Sequence, residues 1–145
     1  MKPIAEINSR LIDSVIAEEI FNLVPGIDFL PPSEWTEYDL YLSDNEGGEY
    51  LLHRSKDVRH DVAKAYSSDM NQTIKLIEKV KEDVGVSIMM ETFERGSHSA
   101  TVMNKDDPDD NTMIISTTMS SAVCLVILDF YGVDLYEEVL SEKRL

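Results

Sequence analysis

The segment Ala122-Val123-Cys124-Leu125-Val126-Ile127-Leu128 is apolar without interruption, and it constrains the fold more than any other stretch of the chain. Thr117 or Thr118 can cap a helix start before it, and Gly132 can stop that helix after it. The spacing therefore predicts a helix from about Met119 to Tyr131. A helix that is apolar almost all round cannot lie on a surface, so other elements must surround it. The run falls well short of the ~18 apolar residues that cross a bilayer, so those elements are expected to be protein.

The rest of the chain supplies them. Ile7, Leu11, Ile12, Val15, Ile16 and Ile20 recur at helical spacing, which predicts a helix over 5–23 that ends before Pro25-Gly26. Tyr38, Leu40 and Leu42 alternate, Ser43 to Gly48 reads as a turn, and Glu49 to His53 returns as a second strand. Residues 54–66 show no period and read as a loop, with a short helical turn as the alternative. Asp69 can cap a helix whose apolar face is Met70, Ile74, Ile77, Val80 and Val84, with Gln72 placed to reach back and Gly85 as its stop. Val86, Ile88 and Met90 alternate, Ala100 and Val102 share one face of a returning strand, and Thr112 to Ser116 gives a third. Asn104 to Asn111 reads as an acidic loop, and Leu135 to Leu140 as a short terminal helix. The expected class is α/β of the α+β type: one domain over 1–145, an α-β-α sandwich. Its sheet, mostly antiparallel or mixed with about five strands, would be covered by three helices.

Charge excludes several functions. With a net charge of −15, the chain lacks the basic footprint that phosphate backbones or anionic lipid require. Neither direct nucleic-acid binding nor membrane docking is expected. The charge is also uneven. Residues 11–53 carry ten acids and no Lys or Arg, and residues 106–142 carry nine acids and no base. Nine of the thirteen bases fall in 54–105, beside eight acids. The lone cysteine, Cys124, cannot form an internal disulfide and sits among apolar neighbours, so it reads as a small buried hydrophobe. A reducing cytoplasm is the expected compartment.

Three segments together resemble a known family. They are Ile16-Ala17-Glu18-Glu19-Ile20, then Tyr66-Ser67-Ser68-Asp69-Met70 leading into Ile74-Lys75-Leu76-Ile77-Glu78-Lys79, then Ala122-Val123-Cys124 running on to Gly132-Val133. In that order they are similar to the phage ABA sandwich domain of small phage and prophage proteins. The resemblance implies α-β-α layering and a phage origin, hence the cytoplasm of a bacterial host. It implies no reaction.

The candidate chemistry is sparse. His53, His60 and His98 are scattered, and no nucleophile–base pair or metal-ligand spacing accompanies them. No catalytic residue, metal or cofactor is expected. Asp106-Asp107-Pro108-Asp109-Asp110-Asn111 lacks the turn glycine and distal glutamate of a calcium loop. Glu46-Gly47-Gly48-Glu49 lacks the Lys-Ser/Thr of a phosphate cradle.

Two binding functions remain. In the first, Glu34, Glu37, Asp39, Asp44, Glu46, Glu49, Asp106, Asp107, Asp109 and Asp110 form an acidic docking surface for a basic host protein that handles nucleic acid or serves defence. Pairs such as Glu37 and Asp39, about 6.7 Å apart along a strand, would space charge like successive phosphates and mimic DNA. The protein would then be a counter-defence or host-takeover inhibitor. In the second, Arg54, Arg59, Lys64, Tyr66, Phe93 and Arg95 gather round a nucleotide immune signal and sequester it. A homodimer is the base-rate expectation for assembly.

Overall fold

A computed structural model describes residues 9–38, 40–43, 49–53, 58–93, 96–104 and 106–133. The expected leading helical residues before 9 and the terminal helix at 135–140 lie outside them. Helix α1 spans Ser9–Glu19, α2 Met70–Val84 and α3 Met119–Phe130. Strands β1 (Leu40–Ser43), β2 (Glu49–His53) and β3 (Val58–Asp61) precede α2, and β4 (Val86–Thr92), β5 (His98–Asn104) and β6 (Asp107–Ser116) precede α3. The class is α+β, with antiparallel strands and three helices, as the periodicities require.

The strands form two three-stranded sheets, β1-β2-β3 and β4-β5-β6, where the sequence suggested one sheet of about five. The added strand is β3, inside the stretch read as a loop. Its sequence, Val58-Arg59-His60-Asp61, has no apolar alternation; β2 is its one strand partner among the described residues, with Leu51 opposite His60 and Tyr50 opposite Asp61, while on the other side the Leu30 N–H donates to the Asp61 carbonyl. An edge strand can be polar, and charge on it discourages pairing with another chain. Strand β6 likewise starts at Asp107, earlier than expected, so the acidic run is the first part of a strand.

Helix α3 is central. Ala122, Val123, Cys124, Val126, Ile127 and Leu128 are wholly buried. Thr118, rather than Thr117, caps it, its Oγ1 accepting from the Ser121 N–H at 3.1 Å, and Gly132 adopts φ +77° just beyond the last turn. One face of α3 covers the sheet face of Val86, Ile88, Ala100, Val102 and Ile114. Ile12, Val15, Ile16 and Ile20 of α1, and Leu76, Ile77 and Val80 of α2, complete the same core. Each such side chain contributes about 1.5–3 kcal/mol of burial. Asp69 caps α2 by accepting from the Asn71 N–H at 3.0 Å, while Gln72, expected to reach back, is buried.

The first sheet has a separate, smaller core of Leu30, Leu51 and Val62, against which Trp35 and Tyr38 pack. Trp35 sits in a 3-10 turn, Pro32–Glu37, and its indole N–H donates to the Leu30 carbonyl at 2.9 Å. Phe29 instead joins the main core.

Candidate functional site

The acidic candidates among the described residues are divided between the neighbourhoods of the two sheets. Glu34 is exposed in the 3-10 turn, where Glu37 also lies. Glu49 opens β2, with its Oε2 3.4 Å from the Arg10 guanidinium. Asp39, Asp44 and Glu46 lie outside the described residues. At the other sheet, Asp106, Asp107 and Asp109 are exposed around the β5–β6 turn and the start of β6, which also contains Asp110. The turn holds its shape locally. The Asp106 N–H donates to Asn104 Oδ1 at 3.0 Å and the Asp109 N–H to Asp107 Oδ1 at 3.2 Å, the usual Asp/Asn turn chemistry.

The second sheet adds a feature absent from the sequence reading. In an antiparallel ladder, directly opposed residues share a face. Val86, Ile88 and Met90 oppose Asn104, Val102 and Ala100; Val86, Ile88, Val102 and Ala100 of this face join the core with α3, while Met90 is 45% exposed. The other phase gives three cross-strand rows: Ser87-Met103-Asn111, Met89-Thr101-Met113 and Glu91-Ser99-Ile115. On this face Met89 is 43% exposed, Met113 58% and Ile115 51%. No helix among the described residues covers it. The three strands contain no Lys or Arg, and Glu91 is exposed among the apolar groups. The neighbouring turn bases Arg95 and Lys105 lie outside the described residues.

Of the basic and aromatic set expected to hold a nucleotide, the described members are not brought together. Arg59 and Lys64 line a cavity of about 150 Å³, but Asp28, Glu49 and Asp61 line it too. Arg59 is already engaged, 3.9 Å over the Tyr50 ring and 3.4 Å from Asp61. Tyr66 is a core residue, stacked on Phe21 with centroids 5.0 Å apart, and burial together with nearby Asp13 pushes its hydroxyl up to about 12. A ring held inside the core offers a ligand no face. Phe93 is exposed, but it follows β4 on the other sheet. Arg54 and Arg95 lie outside the described residues.

His60 and His98 stand on different sheets. His60 meets Tyr38 edge-on at 5.8 Å and His98 Nδ1 lies 3.1 Å from Thr92 Oγ1. Among the described residues no group of His, Cys, Asp or Glu could hold a metal ion. Cys124 is buried, and desolvation raises its pKa well above the ordinary thiol value.

One polar cluster escaped the sequence reading. Asp13 is wholly buried on α1. Its Oδ1 accepts from the Ser67 N–H at 2.8 Å and the Ser67 hydroxyl at 2.7 Å, and its Oδ2 meets the Arg10 guanidinium at 2.8 Å. Arg10 also donates to the Ala63 carbonyl at 3.1 Å. Burial raises the Asp13 pKa from 3.8 to about 6, against the opposing pull of the Ser67 hydrogen bonds and the Arg10 charge. The available signal was Asp13 standing between Ile12 and Val15 on the apolar face of its helix. These bonds tie α1 to the segment before α2, so the cluster is a structural clamp.

The chain matches no family model, and no curated protein matches it. Its fold is similar to the 2.0 Å crystal structure of a phage protein from Bacillus cereus ATCC 14579. The two share 15% identity, with 88% of this chain and 90% of that chain covered and a TM-score of 0.55. A phage protein therefore has this arrangement of helices and sheets. Among the described residues, no helix is long and apolar enough to cross a membrane.

Proposed function

We propose that this protein is a non-enzymatic phage accessory factor that works by binding, its exposed carboxylates docking on a basic protein of the bacterial host. The observation that carries this reading is the second sheet. Glu91, Asp106, Asp107 and Asp109 are exposed on or beside strands that contain no Lys or Arg. Elsewhere three of the described cations are paired within the chain, Arg10 with Asp13 and Glu49, Arg59 with Asp61 and Lys79 with Asp83. A field of one sign steers an oppositely charged partner and weakens as salt screens it. Host proteins that grip nucleic acid present such basic surfaces, and a counter-defence role follows if the partner serves immunity.

The test is affinity capture from host lysate at low and high salt, alongside an Asp106→Asn/Asp107→Asn/Asp109→Asn variant. A basic protein retained at low salt, released at high salt and lost from the variant is the expected result. Capture that ignores both salt and the variant would remove the proposal. These side chains are exposed, so the variant should keep its circular dichroism spectrum.

A further inference from the structure

We infer that the face of the β4-β5-β6 sheet that no described helix covers is a seat for a basic amphipathic helix of the partner protein. This rests on the acidic docking reading above and adds to it a place, an occupant and an apolar component. The shape follows from the ladder. Met89 and Met113 flank the short side chain of Thr101, and neighbouring strands lie about 4.8 Å apart, so the two methionine backbone positions lie about 10 Å apart across the sheet. The next row repeats the pattern, with Ser99 between Glu91 and Ile115. In these two rows a short residue on the middle strand lies between longer ones on the outer strands, a shallow trough that Met103, between Ser87 and Asn111, closes at one end. An α-helix, about 10 Å across with its side chains, can rest one face on the two methionines.

The chemistry of the trough selects the occupant. Methionine is flexible and polarisable, and it accommodates varied apolar side chains at binding surfaces. Exposed apolar groups gathered on one face of a monomer mark an interaction site. Met89, Met113, Ile115 and Phe93, which continues the alternation of 89 and 91, are all more than 40% exposed. The charges beside them are carboxylates: Glu91 within the face, and Asp107 and Asp109 on β6 before Asn111. An occupant therefore needs an apolar stripe to meet the methionines and Lys or Arg flanking that stripe. A second copy of this chain fits less well. Each copy carries −15, and stacking two such faces would oppose carboxylate rims.

The test uses the intact protein and two defined peptides, measured by fluorescence anisotropy and by NMR of the methionine methyl groups. One is an amphipathic Lys/Leu helix; the other is an oligolysine of equal charge. The amphipathic peptide should bind at least 10-fold more tightly, keep part of its affinity at high salt and shift the Met89 and Met113 methyl signals. The Met89→Ser/Met113→Ser/Ile115→Ser variant should lose that advantage while binding oligolysine as before. Equal binding of both peptides, unmoved by the variant, would overturn the apolar seat and leave the acidic reading standing. Binding of neither would overturn both. Sedimentation showing a dimer that the triple substitution dissolves would assign the face to a second copy and end this inference. The substituted residues are solvent-exposed, and an unchanged denaturation midpoint verifies that the variant is folded.

Discussion

The two sheets have the same size and the same antiparallel pairing, yet they are held in different ways. The β4-β5-β6 sheet lies on α3, and its inner face joins a core that includes all three helices. Among the described residues the β1-β2-β3 sheet closes over Leu30, Leu51 and Val62, with Trp35 and Tyr38 packed around them. Arg10 of α1 reaches Glu49 of this sheet at 3.4 Å, and within the smaller unit the Leu30 N–H donates to the Asp61 carbonyl at 2.7 Å. The lesson is that strand pairing does not by itself set stability. What lies behind the strands does, since burial provides most of the driving force and a half-exposed ion pair provides little.

Substitutions can break this comparison or sharpen it. Leu125→Ala in α3 should cost about 3–5 kcal/mol by denaturant unfolding, and Leu51→Ala about 2–3 kcal/mol. Equal costs would abolish the distinction between the two cores. Asp13→Ala should cost about 3 kcal/mol, because it leaves Arg10 without its buried counter-charge and Ser67 without its acceptor.

The Asp13→Asn change isolates the pH term. The folded state holds the Asp13 proton up to about pH 6, whereas an ordinary carboxyl releases it near 3.8. Between these values the native state binds more protons, so this group's contribution is full below about pH 4 and is lost as pH rises towards 6. The loss amounts to roughly 3 kcal/mol. Wild-type stability should fall across that window relative to the asparagine variant, which lacks the titrating group. Parallel pH profiles would show that Asp13 does not titrate in this way.

Hydrogen exchange should then show β2 amides opening before those of β5, as a thinner core permits. The smallest effect belongs to Gly85→Ala, about 1 kcal/mol, from placing a side chain at φ +67°.

Much of the larger core was legible in the sequence. An unbroken apolar run, alternation at Val86 and Ile88, and caps at Asp69 and Gly85 are local signals, and a local signal survives without knowledge of what it packs against. β3 was illegible because an edge strand needs no apolar period. Asp13 was illegible because its partner Ser67 is 54 residues away. Tyr66 was misjudged for a related reason: basic neighbours in sequence suggested a ligand site, while the fold turned the ring inward onto Phe21. The outer face at Met89 and Met113 was hidden because Ser87, Thr101 and Glu91 interrupt its apolar phase. The carboxylates were visible as a composition, but which sheet each would join depended on pairing between distant strands.

The single thiol gives the molecule an internal reporter. Cys124 is sealed on the central helix, with no exposed surface. A thiol reagent can reach it only in molecules where that helix has parted from its neighbours. With no second cysteine to confuse the signal, the labelling rate counts those openings directly and is blind to loosening confined to the smaller sheet.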